Sequence, residues 1–324
     1  MGLHSDDTQQ ALALLNICLA DESWSERRWA DWLIEGFEQR AWRGFSHNFV
    51  AAVHRLRTGS DPRCAGTEWP GIGPATRVGP LGALYADRPE ELCEIAYAAS
   101  LMTHSDIRAA AMAHAVAYTT AAFVRGVPVA EIREALPETV RAAEARWVDR
   151  AQWDFDRTGV FQIADTLAAL FAAPLGSPAL VRASVIALAH GHLPPKWREP
   201  HANQGLALLG AVHALAMALR DDAAPGETLI EVVAQGFDTD TVGAISGGLL
   251  GARFGTDWIA VERLLDAPRI TAYADAVAAG ANAPEDRAEF MAAEAEWTRR
   301  QGVFSEEMVA ERRTGRPRPQ VPLE

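Results

Sequence analysis

Residues 236–255 read GFDTDTVGAISGGLLGARFG. Asp238 and Asp240 stand two apart, interleaved with Thr239 and Thr241. Short oxygen-bearing side chains are favoured at helix starts, where they accept from backbone N–H groups that have no partner within the helix. The stretch therefore reads as a helix with an acidic head. Gly243, Gly247, Gly251 and Gly255 then recur every fourth residue and share one face of that helix. Each glycine costs a helix interior roughly 1 kcal/mol relative to alanine. Four on one stripe are expected where another backbone approaches closely, which would hold the acidic start rigidly.

A second cluster of the same kind lies near the other end of the chain. SDDT, residues 5–8, places Asp6 and Asp7 between Ser5 and Thr8, and an apolar helical run follows at once. A single carboxylate suffices for a cap, worth about 1 kcal/mol. Adjacent like charges repel, so the extra ones need solvent or a cation. Four carboxylates with neighbouring hydroxyls suit a hard cation bound through oxygen, such as magnesium, manganese or calcium. His and Cys are absent from both clusters, which argues against zinc.

Spacing narrows the metal chemistry. A calcium loop starting at Asp238 would need an oxygen ligand at its fifth position and Glu at its twelfth, where Val242 and Leu249 stand. A DDxxD diphosphate site would need an acid at Gln10. The D-x-D-x-V string ending at Val242 matches a phosphatase nucleophile motif. That chemistry wants a parallel sheet and a downstream lysine, and the only lysine, Lys196, lies upstream.

Working outward, the periodicity is helical almost throughout. Ser23, Trp24, Ser25 and Glu26 read as a capping box, after which Trp29, Trp32, Leu33 and Phe37 line one face. Pro89 starts a helix with Glu90 and Glu91 in its first turn, and Ser177-Pro178 starts another. Further helical stretches are expected over 46–57, 105–125, 137–151, 160–173, 204–221, 226–235, 256–265 and 268–279. No segment sustains the period-2 pattern of a strand. The fold class is all-α, a multi-helix single domain over 1–282, followed by a charged C-terminal helix and tail over 283–324. Residues 59–80, rich in Gly and Pro, read as a long functional loop.

Composition bounds the function. The 324 residues carry a formal net charge of -13, so a basic nucleic-acid-binding surface is not expected. Cys18, Cys64 and Cys93 are scattered, with no disulfide framework or paired metal motif, which fits a reducing, cytoplasmic setting. The longest apolar run, 206–219, contains His213 and falls short of the ~20 residues a membrane span needs, so it reads as a core helix.

Four motifs, taken in order, carry a resemblance: SDDT at 5–8, GIGPATRVGPLG at 71–82, MTH at 102–104 and the DTDT-glycine helix at 236–255. Together they resemble the successive motifs of the ADP-ribosylglycohydrolase family, dinitrogenase reductase-activating glycohydrolase-like members included. The resemblance implies an all-α fold and two divalent cations, magnesium with manganese as substitute. It also implies hydrolysis of the glycosidic bond between ADP-ribose and an acceptor, on an ADP-ribosylated protein or a small molecule. Carried over, the metal ligands are Ser5, Asp6, Asp7, Asp238, Asp240 and Thr241. Asp7 and Asp240 are the candidate catalytic carboxylates. Gly71, Gly73, Thr76, Arg77 and His104 are the candidate substrate-binding residues. A glycine-rich backbone could approach a diphosphate where side chains would clash.

The chain departs from the family at several positions. Ser5 stands in place of Thr, Phe237 in place of a common Gly, and Pro74 and Thr76 in place of a small residue and Met. The family also carries a G-D-A-x-G segment and a gating acid ahead of SDDT, whereas four residues precede Ser5 here. The expectation is a chain that starts late or lacks that helix. The second alternative favours a catalytically silent, ADP-ribose-binding or regulatory member. His190, His192, His201 and Cys64 read as structural or surface residues. Trp24, Trp29, Trp32 and Trp42 read as core, with one of them available to stack on adenine.

Overall fold

The computed structural model describes residues 3–20, 24–193 and 199–314. Among these there is no strand, only three isolated bridges, and the architecture is all-α as expected. In chain order the helices are α1 (Asp6–Leu19), α2 (Glu26–Glu38), α3 (His47–Arg57), α4 (Gly73–Arg77), α5 (Gly79–Leu84), α6 (Pro89–Leu101), α7 (Ile107–Val124) and α8 (Val129–Val148). They continue with α9 (Gln162–Phe171), α10 (Pro178–Ala189), α11 (Val212–Ala218), α12 (Pro225–Val233), α13 (Thr239–Phe254), α14 (Ala267–Ala279) and α15 (Arg287–Thr314).

The central element is α7, packed against α4, α5, α6, α8 and α13. It is long and apolar enough to cross a membrane, but 83% of it is buried inside the fold. Its many alanines keep its surface smooth, so neighbours approach closely. At Gly82 of α5 an added Cβ would lie 2.3 Å from the Ala117 carbonyl oxygen. The run 206–219 is buried, as expected, but is not one regular helix: a wide turn over Ala207–Ala211 precedes α11.

Several expectations are corrected. Ser25, not Ser23, caps α2, accepting from the Arg28 N–H, and Ser23 lies outside the described residues. The 59–80 loop contains a 3-10 turn at Pro62–Cys64, and helix begins at Gly73. Pro74 and Pro80 sit in first turns, where a missing N–H costs nothing, so their presence concealed α4 and α5. Helix α8 starts at Val129 and runs through Pro137, because burial of Ile132, Leu136 and Val140 holds both sides of the proline on one apolar face. Residues 256–265 form only a 3-10 turn at Val261–Arg263; Val261 and Leu264 are exposed, so no apolar face supports a helix there.

The glycine stripe of α13 is also not what its spacing suggests. Only Gly243 meets a neighbour, its added Cβ falling 3.1 Å from Val233 Cγ1, while Gly247 and Gly251 have nothing within 4 Å. Gly255 serves a different purpose, ending the helix at φ +74. Past residue 282 the packing does not stop. Asp286 and Glu289 exchange backbone-to-carboxylate hydrogen bonds at the start of α15, and Phe290, Met291 and Glu294 are buried. The final tail, 315–324, lies outside the described residues.

Candidate functional site

The two acidic helix starts face one cavity of about 260 Å³. Its lining includes Asp6, Asp7, Asp238, Asp240 and Thr241 from the clusters, and Gly71, Gly73, Arg77 and His104 from the two middle motifs. Helix α1 brings the first pair, α13 the second, and α4 packs against both. Residues more than two hundred positions apart thus share one wall.

Neither cluster spends its side chains on capping. Ser5 and Asp238 occupy the N-cap positions of α1 and α13, and neither makes a side-chain cap hydrogen bond. Instead Ser5 Oγ donates to Asp7 Oδ2 at 3.0 Å, and Gln10 Nε2 donates to Asp6 Oδ2 at 3.0 Å. Ser5 and Thr76 stand behind the acids rather than on the cavity wall; the Thr76 hydroxyl donates to the Gly73 carbonyl at 2.7 Å.

The acids are held in an electrostatically unfavourable place. Burial lifts the Asp6 carboxyl from 3.8 to about 7; the Asp7 charge adds to the rise and Arg77 opposes it. Burial raises Asp7 as well, with the hydroxyls of Thr76, Ser5 and Thr241 opposing and the Asp240 charge adding. Asp238 is lifted to about 6 by burial and by its acidic neighbours, against the Thr241 hydroxyl. Asp240 reaches solvent at the mouth.

Two side chains back this wall. Arg77 is buried with Nε and Nη1 unpartnered, its guanidinium 5.8 Å from the Trp29 ring centroid. Burial lowers it to about 10, so it stays cationic at neutral pH. His104 is buried and lowered to about 3, first by burial and then by Arg77, so it is a neutral imidazole. Its Nδ1 lies 3.0 Å from Thr103 Oγ1. Gly71 is small because His104 and Trp69 fill the space: an added Cβ would fall 2.9 Å from His104 Cδ2 and from Trp69 Cδ1. At Gly73 there is more room, the nearest atom being His104 Cε1 at 3.7 Å.

The DTDT start is fixed by residues the sequence did not single out. Asn203 is buried, accepts at its carbonyl from Asp238 N at 3.1 Å, and donates its amide to the carbonyls of Val232 and Gly236. With both amide protons used, Asn203 Oδ1 accepts from His213 Nδ1 at 2.7 Å. His201, expected to be a plain loop residue, stacks on Phe237 with centroids 4.0 Å apart. Phe237 is 65% exposed and takes φ +62, the conformation that the glycine it replaces would adopt freely.

Trp29, Trp32 and Trp42 are core, as expected, and none of them lines the cavity; Trp69 does. Ser46, Asn48 and Gly44 also line it, unpredicted. The one signal for Gly44 was its place before a Ser that caps α3; it takes φ +75, and an added Cβ would lie 3.1 Å from Asp6 Oδ1. Cys64, His190 and His192 are exposed and off the cavity. Among the described residues, no three Asp, Glu, His or Cys side chains converge tightly enough to hold one ion. The donor set still suits magnesium, which takes one or two carboxylates and keeps several waters, better than an ion needing an all-protein cage.

Comparison with known proteins agrees with the geometry. The sequence model for ADP-ribosylglycohydrolase matches residues 1–287. The chain is similar in fold to a chain of a solved ADP-ribosylglycohydrolase-related protein complex, with TM-score 0.60 and 24% identity, over 85% of this chain and 81% of that one. No curated protein matches it. The chain belongs to the ADP-ribosylglycohydrolase family, glycohydrolases of ADP-ribose linkages.

Proposed function

We propose that this member is a magnesium-dependent hydrolase that releases ADP-ribose from an acceptor on a protein side chain or small molecule. One observation carries the reading: two acidic helix starts share a cavity, leave their helices uncapped by side chains, and raise three carboxylates above their ordinary value, Asp6 to about 7 and Asp238 to about 6. Asp6, Asp7, Asp238 and Asp240, with the Thr241 hydroxyl, would hold up to two cations, and Ser5, off the cavity wall, would act through its hydrogen bond to Asp7. Such ions orient ribose hydroxyls and offset developing charge.

The remaining roles belong to the chain. Departure of the acceptor leaves an oxocarbenium-like carbon, which an adjacent carboxylate stabilises while water attacks. Asp240, at the solvent-reaching mouth, is the better placed of the two candidates to take the proton from that water. Asp7, buried and bound by Ser5, is the better placed to stay fixed. Arg77 and the neutral His104 present a cation and a hydrogen-bonding imidazole to the substrate's polar groups. Asp240→Asn, folded and assayed with magnesium on ADP-ribosylated substrates, should lose ADP-ribose release; full activity would sink the assignment.

A second reading, binding without turnover, is favoured by the spread of the carboxylates, no three of which converge with each other or with a His or Cys among the described residues. Calorimetry with ADP-ribose and magnesium beside a turnover assay separates the two. Binding without release selects the silent reading.

A further inference from the structure

We infer that Glu294, beyond the family-matched residues, is a positioning residue for the Ser5–Asp7 half of the site, acting through Arg43 and Gln9. The inference rests on the metal-site reading above and adds a residue to it.

Glu294 lies on α15 with its side chain 0% exposed. A buried carboxylate is costly unless it is paired and hydrogen-bonded. Here both oxygens are used. Oε1 pairs with Arg269 Nη1 at 2.5 Å and lies 3.3 Å from His4 Nε2. Oε2 accepts from Gln9 Nε2 at 2.6 Å and pairs with Arg43 Nη2 at 2.9 Å.

From this anchor the contacts run to the first acidic motif from both sides. Arg43 Nε donates to the His4 carbonyl at 2.9 Å, the peptide immediately before Ser5. Gln9, in the first turns of α1 just past Asp7, accepts at Oε1 from Arg43 N and donates to the Ala41 carbonyl. The 41–44 segment so fixed ends at Gly44, which lines the cavity against Asp6. Thr298, one turn further along α15, repeats the pattern: it donates to the Ala41 carbonyl at 2.8 Å and accepts from Arg43 Nη1 at 3.1 Å. The links to His4 and Gln9 flank Ser5–Asp7, and those to Arg43 and Ala41 hold the segment that ends at Gly44. None of these contacts reaches the Asp238–Asp240 half.

An ordinary core ion pair would support stability alone. A positioning residue also sets ligand geometry: removing a partner bonded directly to a ligand typically weakens metal binding by about 10- to 100-fold, and Glu294, one contact further out, falls at or below the low end. The test is Mn2+ binding to the full chain, followed by electron paramagnetic resonance, with thermal unfolding recorded beside it. Wild type, Glu294→Gln and Thr298→Val are compared. Folded Glu294→Gln should bind Mn2+ more weakly by up to about tenfold, and Thr298→Val should shift in the same direction by less. Unchanged affinity in folded Glu294→Gln, even with a lowered melting temperature, overturns the inference and leaves a structural ion pair. If Glu294→Gln does not fold, Thr298→Val decides: weaker binding supports the role and unchanged binding overturns it. A wild type that binds no Mn2+ instead overturns the metal-site reading, and this inference with it.

Discussion

The Asp6 carboxyl offers the sharpest quantitative test, because its burial makes stability depend on pH with a definite sign. Its folded value of about 7 stands above its ordinary 3.8. The protonated folded state is therefore favoured, and the stability this contributes is complete below pH ~4 and is lost as pH rises to about 7. Between pH 5 and pH 8 the loss spans about two units of that interval, or roughly 2.5 kcal/mol at 1.36 kcal/mol per unit. The whole-protein curve would not reveal it. Buried His104, His114 and His213 are pushed down to between about 3 and 4, and they favour the higher pH.

Subtracting an Asp6→Asn variant isolates the carboxyl. Urea unfolding of both proteins in EDTA at pH 5 and pH 8 gives four stabilities. The variant should gain about 2.5 kcal/mol on wild type over that interval. Removing the Asp6 charge also eases ionisation of Asp7, an effect of the same sign. Magnesium at pH 8 should then stabilise wild type and leave the variant almost unmoved. A difference between the two proteins that is the same at both pH values would show Asp6 to be hydrated and ionised throughout, and the burial reasoning would fail.

The glycines and thiols supply two further tests. Gly82→Ala should destabilise the fold by about 3 kcal/mol, since its Cβ would meet the Ala117 carbonyl oxygen at 2.3 Å, whereas Gly248→Ala, with nothing within 4 Å, should stabilise α13 by roughly 1 kcal/mol. Urea titration at one pH checks both, and a stable Gly82→Ala would mean that α5 and α7 can part without cost. Burial lifts Cys18 to about 12 and Cys93 to about 11, while Cys64 is exposed. Cys64 should therefore react rapidly with an aromatic disulfide reagent at pH 8, half-buried Cys18 slowly and buried Cys93 only on unfolding; three fast thiols would contradict the packing of α1 and α6.

What the sequence made legible was chiefly what is local. The starts of α1 and α13 were readable because acids and hydroxyls precede an apolar run, and the all-α class followed from the same periodicity. The pairing of the two starts was not local. It came from the order of four motifs, since nothing in the spacing of Asp6 and Asp238 says that they meet. Proline concealed α4, the helix that carries Arg77 to the cavity, because composition cannot tell a first-turn proline from a loop proline. Glycine misled in the opposite direction: Gly247 and Gly251 share a face but meet no neighbour. Glu294 had a faint signal. It shares the buried face of α15 with Phe290, four residues earlier, where a charge needs a reason. That reason lay some 250 and more residues away, in Arg43 and Gln9.

Three kinds of buried carboxylate in this bundle show why the acidic cavity is read as a cation site. Glu294 is sealed from solvent, yet it is pushed down to about 2, because His4, Arg269 and Arg43 outweigh the cost of burial. Glu144 is equally sealed and is lifted to about 8; Phe161 N–H donates to its Oε1 and its Oε2 has no partner. It can simply stay protonated at neutral pH, so a raised carboxyl is not in itself a site. Asp6, Asp7 and Asp238 differ from both. They are raised together and oppose one another, beside two helix N-termini and a buried arginine that all favour negative charge. If those positive ends balanced the acids, the acids would titrate near or below 3.8, as Glu294 does relative to its own ordinary value. They are raised instead, chiefly by burial and further by neighbouring acids, so the positive ends do not offset the cost of ionising them in that cavity. A carboxylate set selected for stability would resemble Glu294, and a solitary misfit would resemble Glu144. Grouped acids short of positive charge, with hydroxyls among them, are what a cation from outside the chain would complete.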